Sequence, residues 1–154
     1  MRVAVLSASP KQQFSLTLQT VRTLQKMCKE DVFDICFIKD VNDKTEFEEK
    51  AKDADLVIIL SDIDGLYTAN PQTHPDAKLV PEVLEITPEI EASAGGVGSS
   101  RGTGGMYTKI QAAKAATSSG IDLIIASGTE KDVITRIASG ENLGTLFVSR
   151  ENRL

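Results

Sequence analysis

Three short apolar runs stand out in the first part of the chain: Arg2–Ser7, Val32–Ile38 and Asp55–Leu60. Runs of this length, rich in Val and Ile and without alternation, suit strands that are buried on both faces. Between the first two, Leu18, Val21, Leu24 and Cys28 recur at three- and four-residue steps. That period predicts a helix from Ser15, a natural N-cap, to about Lys29. Glu46–Lys52 reads as a short charged helix before the third strand. Strand–helix–strand–helix–strand at this spacing predicts parallel pairing through right-handed crossovers.

The pattern changes after Leu60. Ser61–Tyr67 reads as a turn at a strand end, and a Pro- and Asn-bearing loop runs on to Ala77. Leu79–Ile86 alternates apolar and polar residues, which predicts an exposed β-arm. The pattern leaves open whether that arm packs on its own chain or on a second copy in a homo-oligomer. Pro88 is well placed at the first position of a short helix over 87–91. Ala94–Gly105 is rich in Gly and Ser and reads as a loop that a ligand would order. Met106–Ser118 reads as a helix with Met106, Ile110, Ala113 and Thr117 facing inward. Asp122–Ala126 is a fourth strand, Lys131–Ala138 a helix stopped by Gly140, and Gly144–Val148 a last strand before a polar tail. No repeat or linker divides the chain. The expectation is a single three-layer α/β/α domain over residues 1–154, with a mainly parallel sheet and a small β-arm.

Composition narrows the function more than the fold. A net charge of −5 over 154 residues argues against nucleic acid or an anionic membrane surface as partner. No apolar run approaches the ~18 residues of a membrane span, and the first residues enter a strand pattern without the layout of a signal peptide. Cys28 and Cys36 are the only cysteines and His74 the only histidine. They fit buried thiols in a reducing cytoplasm and offer no His/Cys metal site.

Local chemistry favours a small anionic ligand. Gly102–Lys109 reads Gly-Thr-Gly-Gly-Met-Tyr-Thr-Lys and runs into a helix. Glycines admit close backbone approach, the helix start supplies unpaired N–H groups, and Lys109 adds a full charge one turn in. Ser61-Asp62 and Asp64-Gly65 follow a strand, at the end where open α/β sheets bind ligands. The loop Ser7–Thr17 occupies the same kind of position, where Ser7, Ser9, Ser15, Thr17 and Lys11 can surround a phosphate. It carries neither a G-x-G-x-x-G nor a Walker pattern.

Two resemblances attach to these residues. From about Asp55 onward the chain resembles the C-terminal half of the amino-acid kinase domain of glutamate 5-kinase. The matching text is Leu-Ser-Asp-Ile-Asp-Gly-Leu-Tyr-Thr-Ala-Asn-Pro, Pro-Asp-Ala-Lys-Leu-Val-Pro-Glu-Val, Ile-Thr-Pro-Glu-Ile-Glu, Gly-Thr-Gly-Gly-Met-Tyr-Thr-Lys, and Ile-Ala-Ser-Gly before Gly-Thr-Leu-Phe. The resemblance implies ATP with Mg²⁺. The ATP contacts it implies fall on Ser61, Asp62, Thr103, Gly104, Gly105, Met106, Tyr107, Thr108 and Lys109, with Lys109 catalytic through its charge on the transferring phosphoryl group. The first ~58 residues lack that family's Gly-Ser-Ser loop and the Asn-Asp pair of its glutamate pocket. They instead resemble flavodoxin-like, NADPH-dependent FMN reductases, in Val-Leu-Ser-Ala-Ser-Pro-Lys and Ser-Leu-Thr-Leu-Gln. That resemblance implies FMN phosphate held by Ser7, Ser9, Lys11, Ser15, Leu16 and Thr17. The expectation is therefore a hybrid joined near Asp53–Ile58, with a nucleotide as small-molecule partner and glutamate phosphorylation weak or lost. The alternatives are an FMN-binding protein and a scaffold without activity.

Overall fold

The computed structural model describes residues 2–7, 34–38, 45, 49, 52–61, 63–69, 71, 73–93, 106–138 and 140–149. Six strands form one sheet: β1 (Arg2–Ser7), β2 (Asp34–Ile38), β3 (Leu56–Ser61), β4 (Glu82–Val83), β5 (Asp122–Ser127) and β6 (Thr145–Phe147). Three helices are described: α1 (Pro88–Ser93), α2 (Met106–Ser118) and α3 (Val133–Ala138). The strand order is β2-β1-β3-β5-β6-β4. The pairs from β2 to β5 are parallel, β6 runs antiparallel to β5, and β4 is parallel to β6. The expected mainly parallel α/β sheet is thus present, with β6 and β4 running opposite to the other four strands.

Alternate residues of the central strands feed two separate cores. Val57 and Ile59 of β3 and Leu123 and Ile125 of β5 meet Ile110, Ala112, Ala113 and Ala116 of α2. Ile58, Leu60 and Ala126, on the opposite face, meet Val133, Ile134 and Ile137 of α3. A strand that is covered on both sides must be apolar at every position, which is why Leu-Val-Ile-Ile-Leu is an unbroken run.

The helices α2 and α3 end in the same way. The Ile121 N–H bonds the Ala116 carbonyl and the Gly120 N–H bonds that of Thr117, while Glu141 and Gly140 do likewise to Arg136 and Ile137. Each is a Schellman closure, with the glycine at positive φ (80° and 96°) where a side chain would be strained. Thr87 caps α1, its Oγ1 accepting the Ile90 N–H at 3.3 Å. The exposed Glu89 carboxyl lies below its ordinary range because it accepts from its own backbone N–H and from Thr87.

Two expectations are revised and one open point is settled. Leu79–Ile86 is largely exposed, as expected, and packs on its own chain: Leu79 bridges Tyr67, and Glu82–Val83 joins the sheet edge beside β6. Thr117 does not point into the core, because its hydroxyl donates to the Ala113 carbonyl at 2.8 Å. Ala112 and Ala116 are buried in its stead. The third helix is shorter than expected at its start, since Asp132 has φ 55° and α3 begins at Val133. The predicted helix over 15–29, the loop Ala94–Gly105 and the polar tail beyond 149 lie outside the described residues, and of 46–52 only Glu49 is described as helical.

Candidate nucleotide site

Strand register fixes which loops are neighbours. Ser7 pairs with Leu60 and Ser61 pairs with Ser127, so β1, β3 and β5 end level with one another. The chain leaving Ser7 therefore starts beside the Ser61 turn. The Gly128 N–H bonds the Ser61 carbonyl at 2.8 Å, tying the ends of β3 and β5 together. The 13 residues of α2 span about 20 Å, close to the ~20 Å of the six-residue strand β5. Because β5 runs back along α2 after a tight turn at 119–121, the first turn of α2 reaches the same carboxyl edge.

Lys109 stands at that first turn and is only 2% exposed. An ammonium taken out of water needs polar or charged company, and Lys109 is engaged within the fold. Ile110 and Ala113 hold the helix against the sheet, Met106 packs on the same core, and Tyr107 and Thr108 are half-buried. Across the strands, Ser61 is fully buried, and its Oγ accepts the Ile63 N–H at 3.2 Å, closing the start of the turn. Ser127 and Thr129 share a hydroxyl–hydroxyl bond of 2.8 Å at the end of β5.

The turn is held by several further contacts. The Tyr67 hydroxyl donates to the Asp64 carboxylate, at 2.8 and 2.9 Å to its two oxygens. Bonding to that anion raises the Tyr67 pKa, with burial and the charge of Asp64 adding to it. Gly65 lies under Thr145: a Cβ there would sit 2.6 Å from Thr145 Oγ1 and 2.9 Å from Leu79 Cδ1. The Leu66 N–H donates to Thr145 Oγ1 at 2.8 Å, and Thr145 Oγ1 donates to the Val80 carbonyl at 2.7 Å. Thr145 is fully buried. In the sequence it stands inside the expected strand Gly144–Val148 and in the Gly-Thr-Leu-Phe match, with nothing local to mark its role. Asp62, Thr103, Gly104 and Gly105, and Ser9, Lys11, Ser15, Leu16 and Thr17, lie outside the described residues, and of Ser7 only the backbone is placed. Among the described residues no cluster of His, Cys, Asp and Glu is arranged to hold a metal ion, and no helix is long and apolar enough to cross a membrane.

Residues 50–127, which contain β3, the turn, α1, α2 and β5, match the model of the amino acid kinase family. The chain belongs to the amino acid kinase family. Within it, the chain is 57% identical over 98 residues to the glutamate 5-kinase of Clostridium perfringens, covering 64% of this chain and 36% of that enzyme. It is 53% identical over 112 residues to the glutamate 5-kinase of Methanosarcina mazei, covering 72% and 29%. The chain thus spans about a third of the length of the curated relatives it matches. Its fold is similar to that of a UMP kinase from Bacillus anthracis, with a TM-score of 0.50 at 16% identity, over 97% of this chain and 59% of that one. That likeness is one of fold alone. The comparisons carry the kinase part of the sequence reading, and the flavodoxin-type resemblance of the first 58 residues gains nothing from them.

Proposed function

We propose that this chain is the Mg-ATP-binding portion of a phosphotransferase of glutamate 5-kinase type. The observation that carries the reading is Lys109: a cation almost wholly buried at the first turn of α2, level with the ends of β3 and β5. It lies within the segment that shares more than half its residues with glutamate 5-kinases. Lys109 is engaged within the fold, and its place in the first turn of a helix sets its charge beside the backbone N–H groups that favour phosphate oxygens. In the reaction of that class a carboxylate oxygen attacks the γ-phosphorus, the bond to the β,γ-bridging oxygen breaks, and ADP leaves with the electron pair. Lys109 would hold the phosphoryl oxygens as charge moves toward ADP, and the Ser61–Tyr67 turn would place the nucleotide.

Magnesium fits as a companion of the nucleotide, because it favours phosphate oxygens with one or two carboxylates over a full protein cage. When bound it supplies charge neutralisation at the β- and γ-phosphates. Both oxygens of Asp64 accept from Tyr67, which commits that carboxylate to the turn. The glutamate-recognition residues expected of the family are absent from the first 58 residues, so ATP binding with little or no glutamate phosphorylation is the expected behaviour of this chain.

Calorimetric titration with Mg-ATP tests the reading directly. The unmodified chain should bind, and Lys109→Ala should weaken binding about ten- to a hundredfold, the usual worth of a charge-assisted contact. Equal affinity in the two proteins would remove Lys109 from the site.

A further inference from the structure

A hydroxyl from outside the turn ties it to the far edge of the sheet. Leu66 is buried, and its N–H reaches no backbone carbonyl; it donates to Thr145 Oγ1 at 2.8 Å. The other backbone group of Leu66, its carbonyl, accepts the Val80 N–H at 2.7 Å. Val80 in turn presents its own carbonyl to Thr145 Oγ1 at 2.7 Å. Leu66, Val80 and Thr145 therefore close a ring of three hydrogen bonds joining the turn, the segment entering β4 and the first residue of β6. Gly65 brings its backbone against the same side chain, where a Cβ would collide with Thr145 Oγ1. Thr145 pairs with Ile125, two residues short of the end of β5. The ring thus lies directly beneath the carboxyl edge on which Ser61 and Ser127 stand.

We propose that Thr145 is a positioning residue for nucleotide binding, its hydroxyl fixing the height and tilt of the Ser61–Tyr67 turn over the sheet. This inference rests on the nucleotide reading above. A hydroxyl is required because one atom must accept from Leu66 and donate to Val80 at once. Valine has the same shape without the hydroxyl, and would leave a buried N–H and a buried carbonyl unmatched. Serine keeps the hydroxyl and loses only a methyl group.

The test is Mg-ATP affinity of the full chain and its Thr145→Val and Thr145→Ser variants, with Ile137→Val in the opposite core as a destabilised control. Thr145→Val should bind about tenfold more weakly, the worth of one buried hydrogen bond. Thr145→Ser should recover most of that loss, and Ile137→Val should bind as the unmodified chain does. Hydrogen exchange on the unmodified chain gives a second reading that does not depend on any variant folding. Mg-ATP should slow exchange in peptides covering 63–68 and 78–80 more than in α3. Unaltered affinity in Thr145→Val, a Thr145→Ser variant as weak as Thr145→Val, or exchange at 63–68 indifferent to Mg-ATP would each overturn the inference. Failure of the unmodified chain to bind Mg-ATP would remove the nucleotide reading itself, and the positioning role with it.

Discussion

The two helices that cover the central strands use their cations in opposite ways. On α2, Lys109 is buried at the carboxyl edge of the sheet, on a helix whose other inward positions are Ile and Ala. On α3, Arg136 is 35% exposed and clasps Glu130 and Glu141, each at 2.7 Å. Those two carboxylates hold its guanidinium pKa above the ordinary value. Solvent screens the Arg136 pairs, so they add little to stability. Lys109 is instead buried and engaged within the fold, in the first turn of a helix where backbone N–H groups also favour an anion. The face that hides a cation is therefore the face to search for function. The Lys114–Glu91 pair at 2.7 Å belongs with the Arg136 group, since Lys114 is more than half exposed and only links α2 to α1.

The contrast can be broken or sharpened by a graded set of changes. The largest effect is expected from Ile110→Ala, which empties a fully buried position one residue from Lys109. Urea unfolding should show a loss of about 2–5 kcal/mol, and a smaller loss would mean that α2 packs more loosely than its burial implies. A moderate effect should appear at high pH. The folded-state pKa of Tyr67 is raised above its ordinary value of 10.0, so the Tyr67–Asp64 contribution is complete below that value and is lost as pH rises through the folded-state pKa. Ultraviolet titration of the two tyrosines in the chain should show a component above 10.0 that vanishes in Tyr67→Phe. The smallest effect belongs to Arg136→Gln. It should barely move the thermal midpoint, high salt should reproduce that small change, and Mg-ATP affinity should stay as it was. A large loss of affinity in Arg136→Gln would erase the distinction between the two faces.

The sequence made the central layer of the fold legible because burial on both sides leaves a simple signature. Leu56–Leu60 and Leu123–Ala126 cannot be read as amphipathic surface strands, and both are where the pattern placed them. Lys109 was legible as a charge near a helix start, but its burial was not, since nothing local distinguishes a lysine turned inward from one in water. The edge of the sheet was harder still. β4 has two residues, and its partner Leu146-Phe147 lies more than sixty positions away. Alternation over Leu79–Ile86 was a true signal of extended chain, but alternation does not name a partner strand. The role of Thr145 was hidden for a related reason: its hydrogen bonds reach 79 residues to Leu66 and 65 to Val80, beyond any window of periodicity.

The reversed strand β6 also sets an order of events. β3 pairs with β5 across some sixty intervening residues, and β4 and the ring at Thr145 wait longer still, for residues 145–147. Closing loops of that length is slow compared with forming a helix or pairing successive strands. During synthesis, the segment from the Ser61 turn to Val83 therefore leaves the ribosome well before the strand that organises it. The Ser61–Tyr67 turn is among the last parts of the molecule to take shape, and a chain halted before Thr145 would lack the hydroxyl that Leu66 and Val80 share.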